Sequence, residues 1–110
     1  MEAVIIVPVP EFSEHAEQLA ALAVQARIPT VCGALIAVEK GCLLSYGPDF
    51  FELLRLAADY VARLFRGASP GELPIQGPTH YGLAINLKTA KALGLTIPQS
   101  LLAGADEVIE

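Results

Sequence analysis

The chain alternates short apolar runs with breaks marked by proline and glycine. Ala3–Val9 reads AVIIVPV, a continuous β-branched run of the kind found in a strand buried on both faces of a parallel sheet. Pro8 and Pro10 stop it. Ser13 then suits a helix N-cap, with Glu14 and Glu17 favourable in the first turn. Ala16, Leu19, Ala20, Ala23 and Ala26 recur at helical spacing, small enough to let a helix sit close on a sheet. Pro29 closes that helix, because the residue before a proline is pushed out of the helical region. Thr30–Ala34 predicts a second short strand. Leu35–Lys40 fits either a loop or a helical turn. Cys42–Ser45 predicts a third strand after Gly41.

Gly47-Pro48-Asp49 breaks the chain and opens the clearest helix. Asp49 and Glu52 stand at capping-box spacing. Phe50, Leu53, Leu54, Ala57, Val61, Leu64 and Phe65 form one apolar stripe. Arg63 and Arg66 suit the negative end of the helix dipole, and Gly67 ends it. Ala68–Pro78, with three prolines, reads as an extended connection. His80–Leu87 predicts a fourth strand, with Leu83, Ile85 and Leu87 alternating onto one face. A short helix follows from Asn86 or Leu87 to Gly94, and another from Pro98 through Leu102. The tail Ala105–Glu110 fits a loose end or a short edge strand. The order β-α-β-β-α-β-α predicts an α/β fold with a mostly parallel sheet flanked by helices. Residues 1–110 are one domain's worth of length, or less.

Composition narrows the function. Hydrophobic residues make up 54% of 110 positions and charged residues 17%, against norms of about 45–50% and about 25%. Such a chain has a core, and some apolar surface is left for a partner. The net charge is −5, and the seven Lys and Arg are scattered, so a nucleic-acid footprint is not expected. No run reaches the length of a membrane span. The chain opens Met1-Glu2, where a secretory leader carries positive charge. On that ground a cytoplasmic chain is expected, with Cys32 and Cys42 as reduced, buried thiols. No cofactor or metal is expected: Glu11, Glu14, His15 and Glu17 hold a single His and read as a solvated helix start. His80 reads as an exposed strand end. Ser45 lacks the first glycine of a nucleophile elbow, since Leu43 stands there. Gly67–Gly77 carries no phosphate loop. An enzyme is therefore not expected.

One stretch is more specific. Leu44-Ser45-Tyr46-Gly47-Pro48-Asp49, Arg66-Gly67-Ala68-Ser69-Pro70, Glu72-Leu73-Pro74-Ile75-Gln76, the run from Ile85 to Pro98 (INLKTAKALGLTIP) and Ser100–Glu110 together resemble the C-terminal end of ABC transporter substrate-binding proteins of the tryptophan/tyrosine type. The resemblance is dense over Leu43–Glu110 and looser over Val4–Val31. It implies a type I periplasmic-binding-protein fold: two α/β lobes joined by three crossover strands, the ligand in the cleft, an ABC permease as partner and a periplasmic setting. This chain would then be a partial C-terminal lobe, with crossover segments near 43–49 and 72–82. Helix Asp49–Arg66 would seat on a first lobe that the chain lacks. The family carries an acidic residue near Val9 and a basic one near His15, and this sequence departs at both.

Within that frame Ser45, Tyr46, Gly47 and Asp49 are ligand candidates, because ligands bind beyond the carboxyl ends of strands. Asp49 would take an ammonium group and the helix N-terminus a carboxylate. The plain alternative is an N-cap at Asp49, a core Tyr46 and a turn at Gly47-Pro48. Gly33 and Ala34 would line the same cleft, their small size leaving room, or form an ordinary loop. The expected function is binding of a small amino-acid-like or aromatic solute as part of an importer. The alternative is a self-associating structural remnant without a ligand. Phe50, Leu53, Leu54, Ala57, Val61 and Leu64 are expected to form a homodimer interface.

Overall fold

A computed structural model describes residues 2–110. The chain divides into two compact units, residues 1–47 with 82–110, and Pro48–Tyr81. The five strands are β1 (Val4–Ile6), β2 (Thr30–Cys32), β3 (Leu44–Pro48), β4 (Tyr81–Asn86) and β5 (Glu107–Ile109), ordered β1-β2-β3-β4-β5 in one sheet. The fold is α/β with a mostly parallel sheet. Val4 pairs with Thr30 and Ile6 with Cys32; Val31 pairs with Leu44; Ala84 pairs with Glu107 and Asn86 with Ile109, each pair of strands running parallel.

The first unit adds helices α1 (Pro10–Glu14), α2 (Ala16–Gln25), α3 (Leu35–Glu39), α5 (Leu87–Ala92) and α6 (Gln99–Ala103). Cys32, Val38, Cys42 and Ala84 form its core cluster, with Ile6, Ala37 and Ile109 packed against it. Ala16, Ala20 and Ala90 are buried where helices need a close approach. The buried polar groups are used. The Thr30 hydroxyl accepts the Leu43 N–H at 2.9 Å. Asn86 Oδ1 accepts the Thr89 N–H at 3.0 Å, capping α5, while Nδ2 donates to the Val38 carbonyl at 2.9 Å. The Thr89 hydroxyl donates to the Gly41 carbonyl at 2.9 Å. Two residues on one short segment thus tie α5 to the turn 48 positions earlier, and no buried donor there is left without an acceptor.

The second unit is α4 (Phe50–Phe65) with a 3₁₀ turn (Pro70–Glu72) and an extended return. Asp49 Oδ1 accepts from the Phe51 N–H at 2.8 Å and the Glu52 N–H at 3.2 Å. The return is tied back to the helix: the Tyr60 hydroxyl donates to the Pro74 carbonyl, and the Thr79 hydroxyl donates to Glu52 Oε1. Glu52 therefore bonds across the unit instead of completing a reciprocal capping box. Gly67, at φ 101°, ends the helix as its position predicts.

Three local expectations are corrected. The first apolar run is not buried on both faces: β1 is the terminal strand of the sheet, and Ile5 is 75% exposed. The first helix does not start at Ser13. Pro10 begins α1, the backbone leaves helical geometry at His15 (φ −105°, ψ 16°), and α2 restarts at Ala16. The Ser13 hydroxyl bonds back to the Val9 carbonyl, so it serves a helix already under way. The third strand runs on through Pro48. The ambiguous stretch after Ala34 resolves as α3, and the tail as edge strand β5.

Candidate functional site

The parallel strands β1, β2 and β3 end on the same side of the first unit, and their continuations pack against one another. Gly33 follows β2, and a Cβ there would lie 2.8 Å from Cδ and 2.9 Å from Cγ of Pro8, which follows β1. Gly47 lies near the end of β3, and a Cβ there would lie 2.4 Å from the Gly33 carbonyl oxygen. The small size of Gly33 and Gly47 therefore lets three chain segments close on one another. The Pro8 ring occupies the space that a side chain at Gly33 would take. Ala34 is half-buried and begins α3 without a side-chain cap.

The other candidates separate by exposure. Tyr46, midway along β3, is 61% exposed, so its ring is not core. Ser45, one residue earlier, is 2% exposed and points the other way in the pleat. Asp49 belongs to the second unit and is half-buried, its carboxylate occupied by two backbone N–H groups at the start of α4. That is the capping alternative in full. The cavity touching Gly33 and Ala34 is apolar and holds about 20 Å³, room for a water-sized body. The first unit's strand ends thus form a wall, with Tyr46 as its exposed aromatic element.

The cysteines overturn an expectation. Cys32 and Cys42 form a disulfide with Cα atoms 6.6 Å apart, so neither is a free thiol. The reason is topological: residues 33–41 make one turn of chain with α3, which brings the start of β3 back beside the end of β2. Sequence spacing carried no signal of this return. The bridge closes the loop that holds Gly33 and Ala34. His15, Glu11, Glu14 and Glu17 are spread along an exposed helix surface except for the side chains that α2 buries. Along α4, Phe50, Leu54, Ala57, Val61 and Leu64 are exposed, whereas Leu53 is half-buried.

A family model for the ABC transporter substrate binding protein matches residues 2–109. The chain belongs to that family. No curated protein matches it. Among solved structures, a conserved domain protein from Vibrio cholerae is 32% identical and superposes with a TM-score of 0.91, over 97% of this chain and 36% of the other. The ABC domain from Streptococcus pneumonia in complex with L-Trp is 26% identical, with a TM-score of 0.90 over 99% of this chain and 37% of the other. A ligand-free, open substrate binding protein with adhesive properties from Clostridium difficile shares the fold at 19% identity and a TM-score of 0.68. The chain spans about a third of the length of those structures. The family is one of binding proteins of transport systems, not of catalysts.

Proposed function

We propose that the chain is a solute-binding lobe, supplying one wall of a cleft for a small amino-acid-like or aromatic ligand in an ABC-type importer. The observation that carries this reading is the match of 99% of the chain to a domain solved in complex with L-Trp. The exposed ring of Tyr46, midway along β3, supports it, since an aromatic face is what an aromatic solute stacks on. An ABC permease is the partner the family implies. The working compartment is proposed to be oxidising and outside the cytoplasm; the Cys32–Cys42 bridge supports this, because disulfides persist in such settings. A wall without its counterpart buries less of a ligand than a full pocket does, so affinity of this chain alone is expected in the millimolar range, about −4 kcal/mol.

The chain contains no tryptophan, so the ligand's own emission can be read without background. The fluorescence anisotropy of L-Trp should rise as the chain is titrated in, and the rise should shrink on Tyr46→Ala. No rise at millimolar chain would overturn binding by this lobe.

The second reading, an interaction module without a ligand, is favoured by a different observation. Pro8 fills the space at Gly33, Asp49 is committed to its helix, and Ser45 is buried. Those three features leave Tyr46 as the ligand-facing group on which the first reading depends, and the Tyr46→Ala comparison separates the two.

A further inference from the structure

Tyr46 stands between two residues whose places are set from β2. Ser45, before it, pairs with Cys32 in the sheet. Gly47, after it, lies so close to Gly33 that a Cβ there would meet the Gly33 carbonyl oxygen at 2.4 Å. The backbone that carries the Tyr46 ring is therefore seated on Cys32 and Gly33. Whatever fixes those two residues also fixes the ring.

Cys32 is bonded to Cys42, and Cys42 sits in a firmly tied stretch. Its own N–H donates to the Ala37 carbonyl at 2.9 Å. Gly41, before it, accepts the Thr89 hydroxyl at 2.9 Å. Leu43, after it, donates its N–H to the Thr30 hydroxyl at 2.9 Å and accepts the Asn86 N–H at 2.8 Å. The other end of the bridged loop, residues 33–36, is held differently. Helix α3 starts after Ala34 without a side-chain cap, and Leu35 and Ile36 are exposed. An uncapped helix start with little buried apolar surface opens locally at low cost. The bridge joins this looser end to the tied one.

We propose that the Cys32–Cys42 bridge is a positioning device for the Tyr46 ring. It carries the fixed geometry of residues 41–43 through Cys32 and Gly33 to Ser45 and Gly47, and so orders the aromatic wall before a ligand arrives. This rests on the solute-binding reading above. A wall ordered in advance spares binding the cost of ordering it. Affinity for solute then follows the state of one buried bond. That dependence is separate from the effect of the bridge on unfolding, because restraining the unfolded chain alters stability and not the affinity of folded molecules.

The reduced wild-type chain isolates the bond, since it keeps both sulfur atoms and every other side chain. Dithiothreitol supplies it: the dithiol gives up two hydrogens and closes to its cyclic disulfide, while Cys32 and Cys42 each gain one as the S–S bond breaks. Both cysteines are buried, so the chain is reduced in denaturant and refolded with the reductant. The comparison is made at a temperature where circular dichroism shows both forms equally folded. The dissociation constant for L-Trp, read by anisotropy, should rise about three- to tenfold on reduction, the size of ordering one side chain. Cys32→Ala with Cys42→Ala, in the absence of reductant, should give the same rise. Backbone amide order parameters from nuclear magnetic resonance read the positioning directly. Those of Cys32, Gly33, Ser45, Tyr46 and Gly47 should fall together from about 0.85 toward about 0.6, while those of residues 41–43 hold. An unchanged dissociation constant in the folded, reduced chain would overturn the proposal, and so would a loss of order spread evenly over the molecule. Failure of the oxidised chain to bind L-Trp would overturn the solute-binding reading instead. The order parameters alone would then decide the bridge: a fall confined to those five residues upholds it as the device that positions Tyr46, and no fall refutes it.

Discussion

Gly47 and Gly33 meet so closely that a single methyl group does not fit between them: a Cβ on Gly47 would lie 2.4 Å from the Gly33 carbonyl oxygen. The obstacle is backbone, fixed by β2 on one side and α3 on the other, so it cannot swing away. At Gly33 the obstacle is the ring of Pro8, at 2.8 Å, whose pucker can adjust. Gly47→Ala is therefore expected to destabilise the chain by the upper part of the ~1–3 kcal/mol range for overpacking, and Gly33→Ala by the lower part. For a domain this size, that is a drop in Tm of roughly 4–8 °C per kcal/mol. Thermal denaturation orders the two variants. Pro8→Ala should partly rescue Gly33→Ala and leave Gly47→Ala unchanged. Equal losses, or no rescue, would contradict the stacking of these three segments.

What the sequence made legible was what depends on neighbours along the chain. Asp49, the apolar stripe and Gly67 announce α4, because cap, face and stop all lie within one helix length. The hydrophobic runs announce the strands for the same reason. The break at His15 was hidden because Ser13 is as good a cap as sequence can offer, while Pro10, whose fixed φ suits a first helical turn, had already begun the helix. The meaning of Gly33 and Gly47 was hidden because each is set by a segment more than ten residues away. Room for a ligand and room for the chain look alike in sequence. Tyr46 was open to either reading, and only its place in the sheet, on the face of β3 opposite the buried Ser45, decides that its ring is exposed.

The disulfide makes a thiol-counting prediction. Denatured protein without reductant should show no free thiol, and two after reduction. Closing a loop of about ten residues limits the unfolded chain by about 2.5–3 kcal/mol in the chain-entropy account. Cys32→Ala with Cys42→Ala should lower stability by that order, and the wild type in reductant should fall to a similar level. Two free thiols in unreduced protein would refute the bridge.

Asn86 carries more than its size suggests. Its two side-chain bonds satisfy the Val38 carbonyl and the Thr89 N–H, both in buried surroundings. Asn86→Ala strands the Thr89 N–H, at about 1–3 kcal/mol for a buried group left without a partner, while the Val38 carbonyl keeps the Gly41 N–H at 3.1 Å. Asn86→Asp keeps the acceptor for Thr89 but sets a carboxylate oxygen against the Val38 carbonyl. Chemical denaturation should find both variants destabilised, each by about 1–3 kcal/mol. An Asn86→Asp protein as stable as wild type would show that the bond to Val38 carries no weight.

Asp49 separates stability from ligand binding, because one side chain was open to two roles. Its carboxylate caps α4 through the N–H groups of Phe51 and Glu52. Asp49→Ala removes that cap and should cost about 1 kcal/mol. Asp49→Asn keeps an oxygen at the same place and should cost little, since Asn caps about as well as Asp; what it removes is the charge. If the carboxylate serves the helix alone, Asp49→Asn leaves L-Trp anisotropy as in wild type, and both readouts follow the cap. If it also holds a ligand ammonium, Asp49→Asn keeps its melting temperature but loses binding, because a charge-assisted bond is roughly twice as strong as a neutral one. The geometry predicts the first outcome, since two backbone donors already occupy the group. A stable Asp49→Asn protein that no longer binds L-Trp would return Asp49 to the ligand site.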